Sequence, residues 1–193
     1  MGKKIRLSDT PTFDLIVNVL SNYQCPVDCP SLCCKIQNID FDGKDLKILR
    51  KASKTKTEKA ERVRYKGSLY YSIEPPCPFL GDTGKCTSYD RRPTVCRIYP
   101  FNCDSDNLSV KIYPCDLGIK ILSDFLKFRN EKLKLDIPQK LIDDLKASNE
   151  IFNTSEDNSD VLLVGITLNN LELFGEYLDS EQNWRNPTHT LLF

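Results

Sequence analysis

From Pro11 the apolar residues Phe13, Ile16, Val17 and Leu20 recur at the three-to-four spacing of one helical face. Thr10 stands before Pro11, and a hydroxyl cap followed by proline in the first turn marks a helix start. The pattern predicts a helix over Pro11–Asn22. The spacing returns at Leu46, Leu49 and Ala52, with Asp42 or Asp45 placed to cap that helix. Ile121, Leu122, Phe125 and Phe128 share a face in a helical stretch beginning near Leu117. Pro138 opens another short helix through Leu145, and Leu168–Leu178 reads as one more. Ser68–Ile73 reads instead as a strand, because Leu, Tyr and Ile suit a pleated surface, and Pro75-Pro76 ends it. Val161–Thr167 fits a strand or a helix start, which periodicity does not separate.

The remaining stretches read as loops. Cys25-Pro26 and Cys29-Pro30 push the residue before each proline to extended geometry, so the segment around them is expected to be irregular. Residues 77–115 are punctuated by Gly81, Gly84, Pro93, Pro100 and Pro114. Asn153–Asp160 is polar and acidic. The expected fold is α+β: a small, loop-rich domain with short helices, a small β element and a helical C-terminal part. Its expected division is 1–120 for a cysteine-bearing domain and 121–193 for a helical extension packed on it.

Lys plus Arg equals Asp plus Glu at 27 each, so net charge selects no partner. The distribution is uneven, with ten basic and three acidic residues over Lys44–Lys66 and eleven acidic and two basic over Asp136–Glu181. The basic stretch lacks interleaved aromatic residues, so a helix followed by a solvated loop is expected there, and no nucleic acid. The first residues are charged with no apolar run behind them, and VLLVGI from Val161 is too short to cross a bilayer. The reading is a cytoplasmic protein without membrane association.

Nine cysteines change this picture. Reduced thiols are expected in that compartment, not a disulfide framework. Cysteine used as a small buried apolar residue does not produce tight clusters, whereas metal ligation does. The first group is Cys25, Cys29, Cys33 and Cys34; the second is Cys77, Cys86, Cys96 and Cys103, with Cys115 beyond. His189 is the single histidine, so all-sulfur ligation is expected, by zinc or an iron–sulfur cluster. Paired C-x₂-C knuckles of structural zinc sites are absent, and cysteines followed by proline resemble ferredoxin-like runs. An iron–sulfur cluster, 4Fe–4S, is therefore the expectation and zinc the alternative. The metal would staple the fold, with both cysteine groups converging on it. Cys33 and Cys34, read as extended, are expected to point to opposite sides. The C-x₃-C-x₃-C spacing differs from the radical S-adenosylmethionine signature, whose second gap is two residues.

CPVDCPSLCC, CPFL, GKCTSYDRRPTVCRIYPF and PCDLG together resemble the YkgJ-type family of CxxCxxCC cysteine-cluster proteins, zinc- or iron-chelating domains. The resemblance covers roughly residues 20–120. By position it implies Cys25, Cys29, Cys33, Cys34, Cys77, Cys86, Cys96 and Cys115 as metal ligands, and leaves Cys103 as the surplus thiol. The first group departs from the family pattern, with gaps of three residues where the family has two. Arg91, Arg92 and Arg97 stand beside Cys86 and Cys96, either offsetting the charge of a bound cluster or pairing with carboxylates such as Asp90 or Asp104. Tyr89, Tyr99 and Phe101 are expected to wall the centre from water.

Three functions fit these residues. One is a metal-centre module that transfers electrons or carries or assembles clusters with a protein partner. Another, through a related domain in flagellin lysine N-methylases, is a cluster-dependent methyltransferase-like enzyme. The third is a zinc-stabilised interaction domain. No catalytic residue is assigned.

Overall fold

A computed structural model of the 193-residue chain describes residues 7–65, 67–103, 109–154 and 163–180. His189, the apolar tail, Lys66, Asp104 and the acidic segment beyond Thr154 lie outside the described residues. In chain order the elements are α1 (Pro11–Ser21), α2 (Leu32–Lys35), β1 (Ile39–Phe41), α3 (Gly43–Ala52), β2 (Glu61–Tyr65) and β3 (Ser68–Ile73). They continue with α4 (Thr94–Ile98), β4 (Phe101–Cys103), β5 (Ser109–Ile112), α5 (Asp116–Leu133), α6 (Gln139–Thr154), β6 (Val164–Thr167) and α7 (Leu168–Ser180). The chain is α+β, with two small antiparallel sheets among the described residues. Contacts divide it into two compact units, residues 28–97 and residues 1–27 with 98–193.

In residues 28–97 the strands lie in the order β1-β3-β2, with Ile39 opposite Ile73 and Tyr65 opposite Ser68. Beneath the sheet α3 presents Leu46 and Leu49 to Ile39, Phe41, Ile73 and Phe79. Asp42 caps α3, its carboxylate accepting the Lys44 N–H at 2.8 Å and the Asp45 N–H at 3.0 Å. Such a cap stabilises a helix by about 1 kcal/mol. The solvated loop expected after this helix is corrected over Glu61–Tyr65, which is an edge strand. Arg62-Val63-Arg64-Tyr65 carries the period of two, and Gly67 at φ 76° lets the chain reverse into β3.

The other unit builds its core from Phe13, Ile16 and Val19 of α1, Ile121, Leu122 and Phe125 of α5, and Leu171 and Phe174 of α7. Thr10 caps α1 through the Phe13 N–H at 3.3 Å. The Phe125 and Phe174 rings meet edge-on with centroids 5.4 Å apart. β5 is the centre of the order β4-β5-β6, and its pairing with β6, Val110 opposite Ile166, makes Val164–Thr167 a strand. α6 runs beyond Leu145 to Thr154 because Ser148 and Phe152 continue its buried face. α5 is continuous across position 120. Its start depends on Gly118, where a Cβ would stand 1.8 Å from the Tyr113 carbonyl oxygen. No helix among the described residues is long and apolar enough to cross a membrane.

Candidate metal centre

Residues 28–97 hold Cys29, Cys33, Cys34, Cys77, Cys86 and Cys96. Cys33 and Cys34 lie in α2, which begins after Ser31 in the left-handed conformation, φ 59°. Their expected divergence in an extended loop is corrected: the two sulfurs are 4.0 Å apart. A proline restricts the residue before it, so Pro26 and Pro30 shape Cys25 and Cys29 but leave Leu32–Lys35 free to coil. Successive side chains on a helix then differ by about 100°, not 180°.

Two ties join α2 to the second cysteine group. The Cys77 N–H donates to the Cys34 carbonyl at 2.7 Å, and the Ser31 hydroxyl donates to the Gly84 carbonyl. The chain between Cys77 and Cys86 supports itself. Leu80 N–H donates to the Cys77 carbonyl at 2.9 Å, Gly81 N–H to the Lys85 carbonyl at 2.9 Å, and Thr87 N–H to the Phe79 carbonyl at 2.8 Å. Leu80 and Cys86 form an antiparallel bridge, and Gly84 at φ 73° closes the turn between them. Cys96 arrives on α4, whose first N–H, from Thr94, donates to the Asp45 carboxylate at 2.9 Å. Asp45, only 6% exposed on α3, thus anchors the segment that carries Cys96. Sequence reasoning saw Asp45 only as an alternative cap for its own helix.

Cys77 is buried in the Ile39, Phe41, Leu46, Leu49, Ile73 and Phe79 cluster, and Cys34, Cys86 and Cys96 pack against it partly buried. The thiols act on one another. Contact with Cys33 is the chief cause that pushes Cys34 up to about 12, with burial adding to it. The Cys34 thiol and then burial raise Cys77 far above the ordinary thiol range. Burial, followed by the Cys34, Cys77 and Cys86 thiols, does the same to Cys96. Burial also raises Cys86, opposed by the Ser88 N–H and the Arg92 and Lys56 cations. Four soft donors crowded in one apolar setting hold protons that a thiophilic cation would displace, so the donor set fits zinc or an iron–sulfur cluster. Among the described residues no group of three or more His, Cys, Asp or Glu side chains is arranged as they stand to hold a metal ion.

Arg92 lies beside this group. It stacks on the Tyr89 ring at 3.7 Å and donates through Nε to the Tyr89 carbonyl at 3.1 Å and through Nη1 to the Cys96 carbonyl at 3.3 Å. Arg91 donates instead to the Lys51 carbonyl at 3.1 Å, and Arg97 lies on α4. The aromatic wall expected around the thiols is corrected. Tyr89 is 60% exposed, because its ring serves Arg92, while Phe101 belongs to the apolar core of the other unit and Tyr99 stacks on Tyr113 there. The apolar lining comes from Phe79 of CPFL and from Ile39 and Phe41, two residues with no signal in the cysteine motifs.

The other unit holds Cys25, Cys103 and Cys115. Cys25 is exposed. Cys115 caps α5, its sulfur accepting the Gly118 N–H at 3.4 Å. Cys103 packs on the apolar core, and burial pushes its thiol up to about 11.

Comparison with known proteins is specific at one level only. A search of curated proteins and of solved structures found no match to the chain. A family model does match residues 24–116, under the description "CxxCxxCC: Putative zinc- or iron-chelating domain". Eight of the nine cysteines named above as ligands or surplus lie between Cys25 and Cys103, and Cys115 falls inside the same match. Residues 24–116 of the chain thus match the CxxCxxCC domain, the family described as zinc- or iron-chelating.

Proposed function

We propose that residues 28–97 hold an iron–sulfur cluster, 4Fe–4S, on Cys34, Cys77, Cys86 and Cys96. One observation carries the reading: four thiols from three separate stretches of chain meet at one apolar cluster. A cluster bound there would supply one-electron transfer. The chain's own part is to give up the thiol protons, exclude water with Phe41 and Phe79, and offset negative charge with Arg92 and Lys56. Cys29 and Cys33 remain candidates in the same unit, and Cys25 and Cys115 in the other.

In this reading the chain is an electron-transfer, cluster-carrying or assembly subunit that works with a protein partner in the cytoplasm. Exposed side chains on the edge strand β2 and its neighbour β3 support partner docking. Val63, Leu69 and Tyr70 are exposed, and the register sets Val63 opposite Tyr70 and Arg64 opposite Leu69. Iron and acid-labile sulfide analysis of anaerobically purified protein tests the cluster. Both elements should be present and should be lost together in Cys96→Ser. Zinc without sulfide would replace this reading with a zinc-stabilised interaction domain.

A further inference from the structure

We infer that Ser88 is a positioning residue of the metal site, its hydroxyl donating a hydrogen bond to a sulfur of the centre once the thiols are ligated. The inference rests on the reading of Cys34, Cys77, Cys86 and Cys96 as ligands. Ser88 is 7% exposed, and its Oγ is buried without a hydrogen-bond partner. Among the described residues of 28–97 it is the one buried side-chain nitrogen or oxygen in that condition. Buried hydroxyls are normally paired, so an orphan one asks for a partner not yet in place.

Its surroundings indicate which partner. Ser88 precedes the 3₁₀ turn Tyr89–Arg91 and accepts the Arg91 N–H on its carbonyl at 2.9 Å. A serine at that position ordinarily caps the turn with its side chain, and this one does not. Its main-chain N–H instead points at the Cys86 sulfur. The main chain of Ser88 therefore meets a thiol two residues away, and its own hydroxyl is buried and uncommitted. A thiolate or a cluster sulfide accepts a hydroxyl proton, and such bonds steady the ligand and spread its negative charge.

Co²⁺ titration of the full-length reduced protein under anaerobic conditions tests this, read by cobalt–thiolate absorption, alongside melting of the metal-free protein. Ser88→Ala should bind Co²⁺ about tenfold more weakly than the parent. The metal-free Ser88→Ala protein should melt at the same temperature or higher, since it has lost only an unpaired polar atom. Ser88→Thr, which keeps the hydroxyl, should restore the affinity. Equal affinity in Ser88→Ala, or a lower melting temperature without metal, overturns the role of Ser88. A parent protein that takes up no Co²⁺ on thiolate overturns the ligand reading itself, and this inference with it.

Discussion

The Cys77 N–H donates to the Cys34 carbonyl oxygen at 2.7 Å, joining residues 43 apart in sequence. A main-chain bond of this kind sets the two Cα atoms before any metal arrives, leaving side-chain rotation as the remaining freedom. It also makes the two cysteine groups parts of one local structure, not separate knuckles. With the Leu80–Cys86 bridge and the Asp45–Thr94 bond, each of the four gathered cysteines has its own backbone support.

Serine in place of Cys34, Cys77, Cys86 or Cys96 should each remove most of the bound metal, because a neutral hydroxyl is a poor substitute for a soft thiolate. Cys103→Ser should keep it, since that sulfur packs on the core of the other unit. Metal-to-protein ratios of the five variants check this. Equal loss in Cys103→Ser would make Cys103 a ligand.

Asp45→Ala should destabilise residues 28–97 by about 2 kcal/mol, because it strips the Thr94 N–H of a charged acceptor. Asp45→Asn, which still offers an oxygen, should lose less. Chemical denaturation of both variants measures the difference. An Asp45→Ala midpoint equal to the parent's would mean that α4 needs no anchor.

The thiol of Cys103 has a folded value of about 11 against an ordinary 9.0, raised by burial. The unfolded chain therefore releases this proton first as pH rises. The contribution of the buried thiol is complete below pH 9 and is lost as pH climbs from there through about 11, on the order of 2 kcal/mol in all. The stability difference between the parent and Cys103→Ala should shift in favour of the variant across that window. Parallel stability curves from pH 8 to pH 11 would refute the shift.

Much of the architecture was legible beforehand because it rests on local signals. Thr10-Pro11, the apolar spacing of α1, α3, α5 and α7, and the strand at Ser68–Ile73 all appear where sequence patterns put them. The choice of strand for β6 depends on β5, a partner distant in sequence that periodicity does not see, whereas β2 and β4 are short arms paired with the next strand in the chain. The α+β class was readable for the same reason: each long helix carries its own periodic stripe. The cysteine spacing and the CTSYDRRPTVCR motif pointed to the CxxCxxCC resemblance, which the family match over residues 24–116 bears out. What they omitted is what only folding creates. Asp45 lies 49 residues from Thr94, Ser88 is one serine among many, and Ile39 and Phe41 are ordinary strand residues. The aromatic residues nearest the motif drew attention by proximity in sequence, yet Phe101 packs elsewhere.

Gly118→Ala tests why PCDLG ends in glycine. A methyl group there would collide with the Tyr113 carbonyl, so the start of α5 must shift, destabilising the protein by about 3 kcal/mol or more. At Gly165 a Cβ meets nothing within 4 Å, and Gly165→Ala should leave the melting temperature nearly unchanged. Comparable melting of the two variants would contradict the close approach at Gly118.

Iron, zinc and acid-labile sulfide measured together on anaerobically purified protein bear most directly on the central claim. Parallel preparations of Cys34→Ser and Cys77→Ser place any metal found on the thiols joined by the Cys34–Cys77 backbone bond. The account predicts iron and sulfide in near-equal amounts, about four of each per chain as a 4Fe–4S centre requires, and little of either in both variants. Protein that carries zinc without sulfide or no metal at all, or variants that keep the full complement, would contradict it.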